Sequence, residues 1–96
     1  MVYQVSLTES VQEDIAFFEA DDQRIIVAGI VSHLNVDAEV SGRKRKQLRP
    51  NPVAPWELRI DTFRVFYSVD GDQVEVMAVG HKEHDDLFIR GQKVEL

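Results

Sequence analysis

The feature that most restricts the fold is a strict alternation of apolar and charged residues in the second half of the chain. Over residues 56–61, Trp56, Leu58 and Ile60 fall on one side and the charged residues between them on the other. Successive side chains of a β-strand point to opposite faces, so this period of two indicates a strand with one buried face.

Two more strands follow within a few residues. Residues 63–69 continue as a strand after a tight turn near Thr62, and the Asp-Gly-Asp sequence of 70–72 predicts a hairpin turn before a third strand over 73–80. An unbroken alternation in this third strand gives one face Val74, Val76 and Ala78, and the other face Glu75, Met77 and Val79. Strands joined by such short turns predict an antiparallel meander.

The first third of the chain predicts one strand and two helices. Residues 2–7 alternate as a strand does, and Thr8 can cap a following helix with one apolar face, formed by Val11, Ile15 and Phe18. Asp21 and Asp22 are interpreted as a break and a second N-cap. Residues 23–34 are rich in β-branched side chains, but their length and the spacing of Ile26, Ile30 and Leu34 favour a helix.

The remaining segments are less regular. Three prolines in residues 35–55 exclude a regular helix there, and we expect a long loop with at most one edge strand. Residues 81–88 are expected to form a short helical turn closed by Gly91. The predicted order β-α-α-β-β-β gives an α+β fold, an antiparallel sheet with two helices on one face, in a single domain over residues 1–96.

Composition excludes several classes of protein. Apolar residues make up 44% of the 96 residues, but they are interleaved with charge and never approach the roughly 20 consecutive residues of a membrane span. No basic segment followed by an apolar stretch suggests a secretion signal, and the absence of cysteine excludes disulfides and thiolate metal sites. We therefore expect a cytoplasmic protein without a membrane partner.

The charge is strongly polarised along the chain. The net charge is −6, yet residues 43–64 hold seven basic residues against two acids, so that window is +5 and the remainder is −11. A basic patch on an acidic body predicts a local anion-binding surface rather than a general nucleic-acid-binding protein.

Three segments taken in order, 46–50 (KQLRP), 56–67 (WELRIDTFRVFY) and 79–91 (VGHKEHDDLFIRG), resemble the toxins of the bacterial RelE/ParE superfamily. Those chains carry a K-L segment, a W-x-L-R strand, a Y-R-V-x-Y strand and a V-G-H-R ending in the same order. The resemblance extends over nearly the whole chain and implies a RelE/ParE-like α+β fold.

The resemblance also implies a function. Many members of the superfamily are ribosome-dependent endoribonucleases that cut mRNA without a metal or cofactor, while others poison DNA gyrase. Both kinds are neutralised by a cognate antitoxin, with which they form hetero-oligomers. The first expectation is therefore a ribonuclease toxin with the ribosome and mRNA as partners. The alternatives are a non-catalytic ParE-like inhibitor of gyrase and a degenerate toxin that keeps only antitoxin binding.

RNA cleavage through the ribose 2′-OH needs a base, an acid and cations that stabilise the phosphorane. By resemblance, Arg59 and Arg64 match the basic positions of the central strands, and Lys82 matches a basic residue of the last segment. The period of two puts Arg59 on the polar face of its strand, and Arg64, just across the turn, can reach the same side. His81 and His84 are the candidate acid and base, because imidazole titrates near neutral pH and the spacing of three residues would bring them together on a helical turn. The structural alternative for Arg59 is a pair with Glu57 or Asp61 on a solvated sheet face. For Lys82 it is a solvent-exposed helix lysine, and for the two histidines it is a surface position near Glu83, Asp85 and Asp86.

Further residues are candidates for holding RNA. By resemblance, Phe88 stands where many of the ribonucleases have a tyrosine, so it keeps stacking but lacks the hydroxyl; the alternative is a core phenylalanine that closes the last turn. The basic loop is expected to follow phosphates or to meet an acidic antitoxin segment; its residues are Arg43, Lys44, Arg45, Lys46 and Arg49. For the antitoxin we expect an apolar groove around the helices and the 92–96 tail.

Overall fold

Two helices and seven strands make up the computed structural model, which describes residues 2–96. In chain order these elements are β1 Gln4–Leu7, α1 Glu9–Ala16, α2 Ala20–Leu34, β2 Arg45–Gln47, β3 Trp56–Ile60, β4 Phe63–Asp70, β5 Gln73–Glu83, β6 Asp86–Ile89 and β7 Gln92–Val94. The α+β class, the first strand, both helices and the three-stranded meander are confirmed.

The helices begin for different reasons. The Thr8 side chain accepts a hydrogen bond from the Val11 amide at 3.1 Å and caps α1, as its position before the apolar repeat predicted. The second helix begins earlier than predicted, with Glu19 as N-cap, and the two aspartates lie in its first turn. Within residues 2–96 neither helix has the length and apolarity that a membrane crossing requires.

The sheet is a continuous antiparallel path with one parallel addition. Its order is β2-β3-β4-β5-β6-β7, while β1 pairs in parallel with β5. Along the edge of β5 that β4 leaves free, β1 pairs with residues 73–76 and β6 with residues 81–83. A gap therefore separates β1 from β6 in the middle of β5.

The two faces of the sheet have different roles. The helix-side face packs against α1 and α2 and forms the main core, which includes Ile26, Leu34, Leu58, Val65, Tyr67, Val74, Val76 and Val79. The opposite face, here called the open face, carries Arg59 and Arg64 and a smaller cluster built on Ala54, Phe66, Ala78 and Leu87. On this face Arg59 is exposed and Arg64 is half-buried, whereas the smaller cluster is buried.

The alternation predicted for β5 is wrong beyond Val76. Phe66 pairs with Ala78 and Tyr67 pairs with Val76, so Met77 is an extra residue, a β-bulge. As a result Val79, rather than Ala78, continues the buried helix-side row of Val74 and Val76. Every residue of β5 after the bulge lies on the face opposite to the one that unbroken alternation assigns.

The predicted helical turn over residues 81–88 is also wrong. Strand β5 continues to Glu83, turns at His84 and Asp85, and returns as β6, so these residues form a hairpin. Gly91 does not close a helix; it is the second residue of the next turn, with φ of 75°, and leads into β7. The predicted loop over 35–55 does contain one short edge strand, β2.

Candidate functional site

The two arginines of the central strands lie side by side on the open face. Arg59 on β3 and Arg64 on β4 are directly opposite each other in the antiparallel register. Paired residues of adjacent strands project to the same face, so two guanidinium groups share one region of the sheet. The period-two prediction for Arg59 and the expected proximity of Arg64 therefore describe the observed arrangement.

Arg59 is partly neutralised by a buried acid. The Nε of Arg59 donates to Oε1 of Glu57 at 3.0 Å, and the Glu57 side chain is only 4% exposed while that of Arg59 is 45% exposed. A buried carboxylate requires a charged partner. Arg59 thus supports Glu57 through one N–H and presents the rest of its guanidinium to solvent.

Arg64 is bent back over its own turn. Its Nη1 donates to the carbonyl oxygens of Asp61 at 2.8 Å and Phe63 at 2.9 Å, and its Nε is buried without a hydrogen-bond partner among residues 2–96. Burial lowers the pKa of Arg64, the charge of Arg59 lowers it further, and Glu57 opposes the shift. A guanidinium still stays charged at neutral pH, so Arg64 is a fixed cation rather than a proton donor.

A shallow pocket forms around these arginines, and we call it the basic pocket. It is lined by Arg43, Lys44, Arg59, Asp61 and Arg64. The Arg59 amide donates to the Lys44 carbonyl oxygen at 2.7 Å, which holds the loop before β2 against β3. Four cations and one carboxylate therefore converge in one place, although the protein as a whole is acidic.

Lys82 lies on the open face but does not line the basic pocket. It is one residue beyond His81 on β5, its amide donates to the Thr62 carbonyl oxygen at 2.7 Å, and its Nζ lies 3.5 Å from the Asp85 carbonyl oxygen. Lys82 adds positive charge at the margin of the arginine pair.

His81 is on the other side of the sheet. It pairs with Phe63, a residue of the helix-side core, and its ring stacks on Phe88 at 5.5 Å and meets the edge of Phe18 at 5.8 Å. Its Nδ1 is buried without a partner within residues 2–96, and its Nε2 lies 3.8 Å from Glu83. The sheet therefore separates His81 and Phe88 from the arginines with which they were expected to act.

His84 does not join His81 either. It lies exposed in the β5–β6 turn with φ of 51°, so the spacing of three residues spans a hairpin end rather than one turn of helix. Within residues 2–96, no three histidine or acidic side chains come together as a metal site requires. The second candidate for proton transfer is thus a solvated turn residue.

The basic loop divides between the two faces. Arg43 and Lys44 line the basic pocket, Lys46 is exposed opposite Glu57 in the register, and Arg49 lies in the following loop. Arg45 points to the helix side, where it donates to the carbonyl oxygens of Val40 at 3.1 Å and His33 at 3.3 Å. Arg45 therefore anchors β2 to the end of α2 and does not reach the open face.

The contact between Arg45 and His33 predicts a dependence of stability on pH. Arg45 Nη1 lies 3.3 Å from His33 Nδ1, and because a guanidinium only donates, the ring must accept there and be neutral. Burial lowers the pKa of His33 below its usual 6.5, and Arg45 and Lys44 lower it further. As pH falls, the unfolded chain takes up a proton first, so this contribution is complete above pH 6.5 and declines below it.

Replacing His33 with asparagine should remove this dependence. Asparagine can offer Oδ1 to Arg45 and does not titrate, so the His33→Asn protein should lose less stability than the natural protein between neutral and mildly acidic pH. Thermal melting of both proteins at a series of pH values measures the difference. Parallel curves for the two proteins would contradict this role of His33.

One ion pair of structural importance escaped the sequence reasoning. The Asp14 carboxylate on α1 is buried and accepts from the Arg90 Nε at 2.6 Å and the Val79 amide at 3.1 Å. The only signal was an acid on the apolar side of α1, one residue before Ile15. Asp14 fills the gap between β1 and β6 along β5.

Comparison with known proteins assigns this arrangement to a family. The model of the ParE toxin of the type II toxin–antitoxin system parDE matches residues 5–86. No curated protein matches the chain.

Two solved structures have the same fold. A chain of the RelBE2 toxin–antitoxin complex from Mycobacterium tuberculosis superposes with a TM-score of 0.74 at 21% identity, over 85% of this chain and 93% of that one. A chain of the archaeal RelE–RelB complex from Pyrococcus horikoshii gives 0.68 at 15% identity, over 88% of this chain and 99% of that one. At these identities the likeness establishes the RelE/ParE-like fold. Together with the family match over most of its length, it means that the chain belongs to the ParE toxins of type II toxin–antitoxin systems.

Proposed function

We propose that this toxin acts by binding its target rather than by cleaving RNA, that the target is DNA gyrase, and that an antitoxin holds it inactive. The observation that carries the proposal is the position of the two histidines. Neither histidine lines the basic pocket: His81 lies beneath the sheet and His84 lies in an exposed turn. Family membership agrees with this reading, because the resemblance to ParE implies inhibition of gyrase.

The chemistry of the open face supports binding. Cleavage through the 2′-OH is most efficient when a group with a pKa near the working pH transfers the proton. The side chains around the basic pocket are guanidinium and ammonium groups, which stay protonated, together with Asp61 and the buried Glu57, which is paired with Arg59. Such a face holds an anion firmly but has no histidine that exchanges protons with it.

Phe88 supports the same conclusion. Phenylalanine has no hydroxyl, and its ring stacks on His81 on the helix-side face rather than beside Arg64. A base bound over the arginines would not reach this ring without crossing the sheet. The residue expected to stack on RNA is therefore part of the packing around Phe18 and His81.

The proposal is tested by removing both histidines while preserving the fold. His81→Phe keeps an aromatic ring between Phe18 and Phe88, and His84→Asn uses a residue that tolerates a positive φ. Expressed without antitoxin, the double variant should arrest growth as strongly as the natural toxin. Purified toxin should inhibit the supercoiling of relaxed plasmid by gyrase.

Mapping of mRNA 5′ ends in the same cells provides the opposing result. Cuts positioned at codons in translated mRNA, present with the natural toxin and lost in the double variant, would identify a ribonuclease and reject the proposal. Arrest without such cuts, together with blocked supercoiling, would support it. Thermal melting of the double variant distinguishes loss of a chemical group from loss of the fold.

For the antitoxin we propose the groove between β1 and α2. It is lined by Tyr3, Gln4, Val5, Leu7, Val27, Ile30, Val31 and Asn35. Val27 and Val31 are 43% and 58% exposed although they are apolar and lie one helical turn apart. Exposed apolar side chains at this spacing suit an amphipathic segment of a partner. The expected contact with the 92–96 tail, which includes β7 at the end of the sheet, stays part of this proposal.

A charge in the groove should weaken the complex. Val31→Asp is expected to reduce antitoxin affinity by at least about tenfold, because it leaves a carboxylate in an apolar contact. Ser32→Asp introduces the same charge at the next exposed position of α2 and serves as the control. Titration calorimetry with the protein encoded beside the toxin gene measures both. Equal antitoxin affinities of the two variants would show that the antitoxin binds outside this groove.

A further inference from the structure

We infer that the basic pocket binds the sugar-phosphate backbone of duplex DNA. The inference deepens the proposed function, on which it rests, because gyrase works on DNA and a toxin bound to it lies close to a duplex. In an RNA-cleaving toxin the arginines of this pocket would hold the RNA phosphate; the inference gives them a ligand in a toxin that does not cleave RNA.

Charge is the first argument. Arg43, Lys44, Arg59 and Arg64 meet in the pocket, and its two nearby acids are Asp61 and Glu57, of which Glu57 is already paired with Arg59. A duplex carries one negative charge for about every 1.7 Å of its axis, so a compact group of cations gains several contacts at once. Guanidinium groups in particular match the oxygens of a phosphate in pairs.

Apart from Asp61, the acids of the protein lie outside the lining of the pocket. Acids are concentrated on α1, on α2 and in the β4–β5 and β5–β6 turns. Glu75 projects to the open face, but it pairs with Ser68 at the end of β5 remote from Arg64, which pairs with Gly80. Five residues of a strand span roughly 16 Å, which exceeds the screening length of about 8 Å in physiological salt.

The absence of an aromatic platform favours a duplex over a single strand. Proteins that bind single strands stack exposed aromatic rings on the bases. On the described part of the open face the aromatic residue is Phe66, which is fully buried, while Phe17 and Phe88 lie on the helix side. The pocket therefore offers contacts to phosphates and none to unstacked bases.

The lining also disfavours a peptide. Tight peptide sites are centred on apolar or aromatic anchors in pockets. All five residues of the basic pocket are charged, whereas the apolar groove of β1 and α2 is on another part of the molecule. The two surfaces thus suit two kinds of partner, a polyanion and an amphipathic protein segment.

The test is direct binding of the purified full-length toxin to a fluorescein-labelled DNA duplex, followed by anisotropy over a series of salt concentrations. The double variant Arg43→Gln/Lys44→Gln removes two exposed charges of the pocket whose side chains make no hydrogen bond within residues 2–96. The control Arg24→Gln/Lys93→Gln removes two charges from α2 and β7, away from the pocket. Both doubles change the net charge equally.

We expect the pocket double variant to bind the duplex at least about tenfold more weakly. The negative slope of log affinity against log salt concentration should become shallower by about 2. The control should stay within about twofold of the natural toxin. Equal losses in the two doubles, no duplex binding even at low salt, or tighter binding of single-stranded RNA or of polyglutamate would each overturn the inference.

The supercoiling assay separates this inference from the proposed function. Inhibition of gyrase by a toxin that fails to bind the duplex would reject the DNA site and leave the gyrase proposal standing. Duplex binding without any effect on gyrase would reject the target and leave the site.

Discussion

An alanine at position 80 is expected to lower the free energy of unfolding by about 3 kcal/mol, the largest effect we expect from any single methyl group in this protein. Gly80 lies on β5 opposite Arg64, one residue before the antiparallel pairing with β6 begins. A Cβ there would overlap the Phe88 carbonyl oxygen and come within 2.9 Å of the Ile89 Cγ1. Because the first of these neighbours is backbone, rotation of a side chain cannot relieve the overlap.

Urea denaturation of Gly80→Ala and Gly42→Ala measures the effect against a matched control. Gly42 lies in the loop before β2, and a Cβ added there meets nothing within 4 Å. Its alanine variant should therefore unfold at nearly the same urea concentration as the natural protein. Similar midpoints for the two variants would mean that β6 is free to move away from β5, contrary to the structure.

Loss of the Asp14 carboxylate is the second large effect that we expect. Asp14→Ala removes the acceptor of the buried Val79 amide and the partner of Arg90 at once. An unsatisfied buried amide alone costs about 1–3 kcal/mol, so we expect a loss of about 2 kcal/mol or more. Asp14→Asn can keep an oxygen near the Val79 amide and should lose less.

The neighbouring acid provides the control for this prediction. Glu13 also pairs with Arg90, at 3.3 Å, but its side chain is 67% exposed. Surface pairs contribute little, and Glu13→Ala should stay within about 0.5 kcal/mol of the natural protein. Chemical denaturation measures the free energy of unfolding of the three variants. A loss for Glu13→Ala as large as that for Asp14→Ala would show that negative charge on α1, rather than the buried hydrogen bond to β5, stabilises this region.

The sequence predicted the parts of the fold that depend on local pattern. The alternation from Trp56 predicted a strand because burial of one face requires an apolar residue at every second position. Thr8 predicted the start of α1 because the first amides of a helix need a side-chain acceptor. The position of Arg59 on the polar face followed in the same way from the period of a strand, but the register that pairs it with Arg64 is known from the structure.

No residue pattern predicts the C-terminal hairpin. Its first turn puts His84 and Asp85 at φ of 51° and 70°, and the next turn puts Arg90 at 50° before Gly91. Two-residue hairpin turns with positive φ normally contain Asn-Gly or Asp-Gly, because other residues favour negative φ. The sequence Glu-His-Asp-Asp carries no such pair, so the residues themselves favour a helical turn there.

The position of His81 could not be predicted for a different reason. Nothing in the residues near Met77 indicates that one of them will be left out of the pairing with β4. The bulge is a tertiary result: it lets Val79 join the core and turns its amide toward Asp14. That single unpaired residue determines which face of the sheet each later side chain of β5 occupies.

The bulge at Met77 also determines which chemical groups share a surface of this sheet. In a regular part of β5, inserting or deleting one residue without a compensating bulge exchanges the faces of all the residues that follow. A change in length there would bring an imidazole beside the arginines with no substitution at all. The position of the bulge, as well as the residue at position 81, therefore decides whether an imidazole of β5 faces the helices or the arginines.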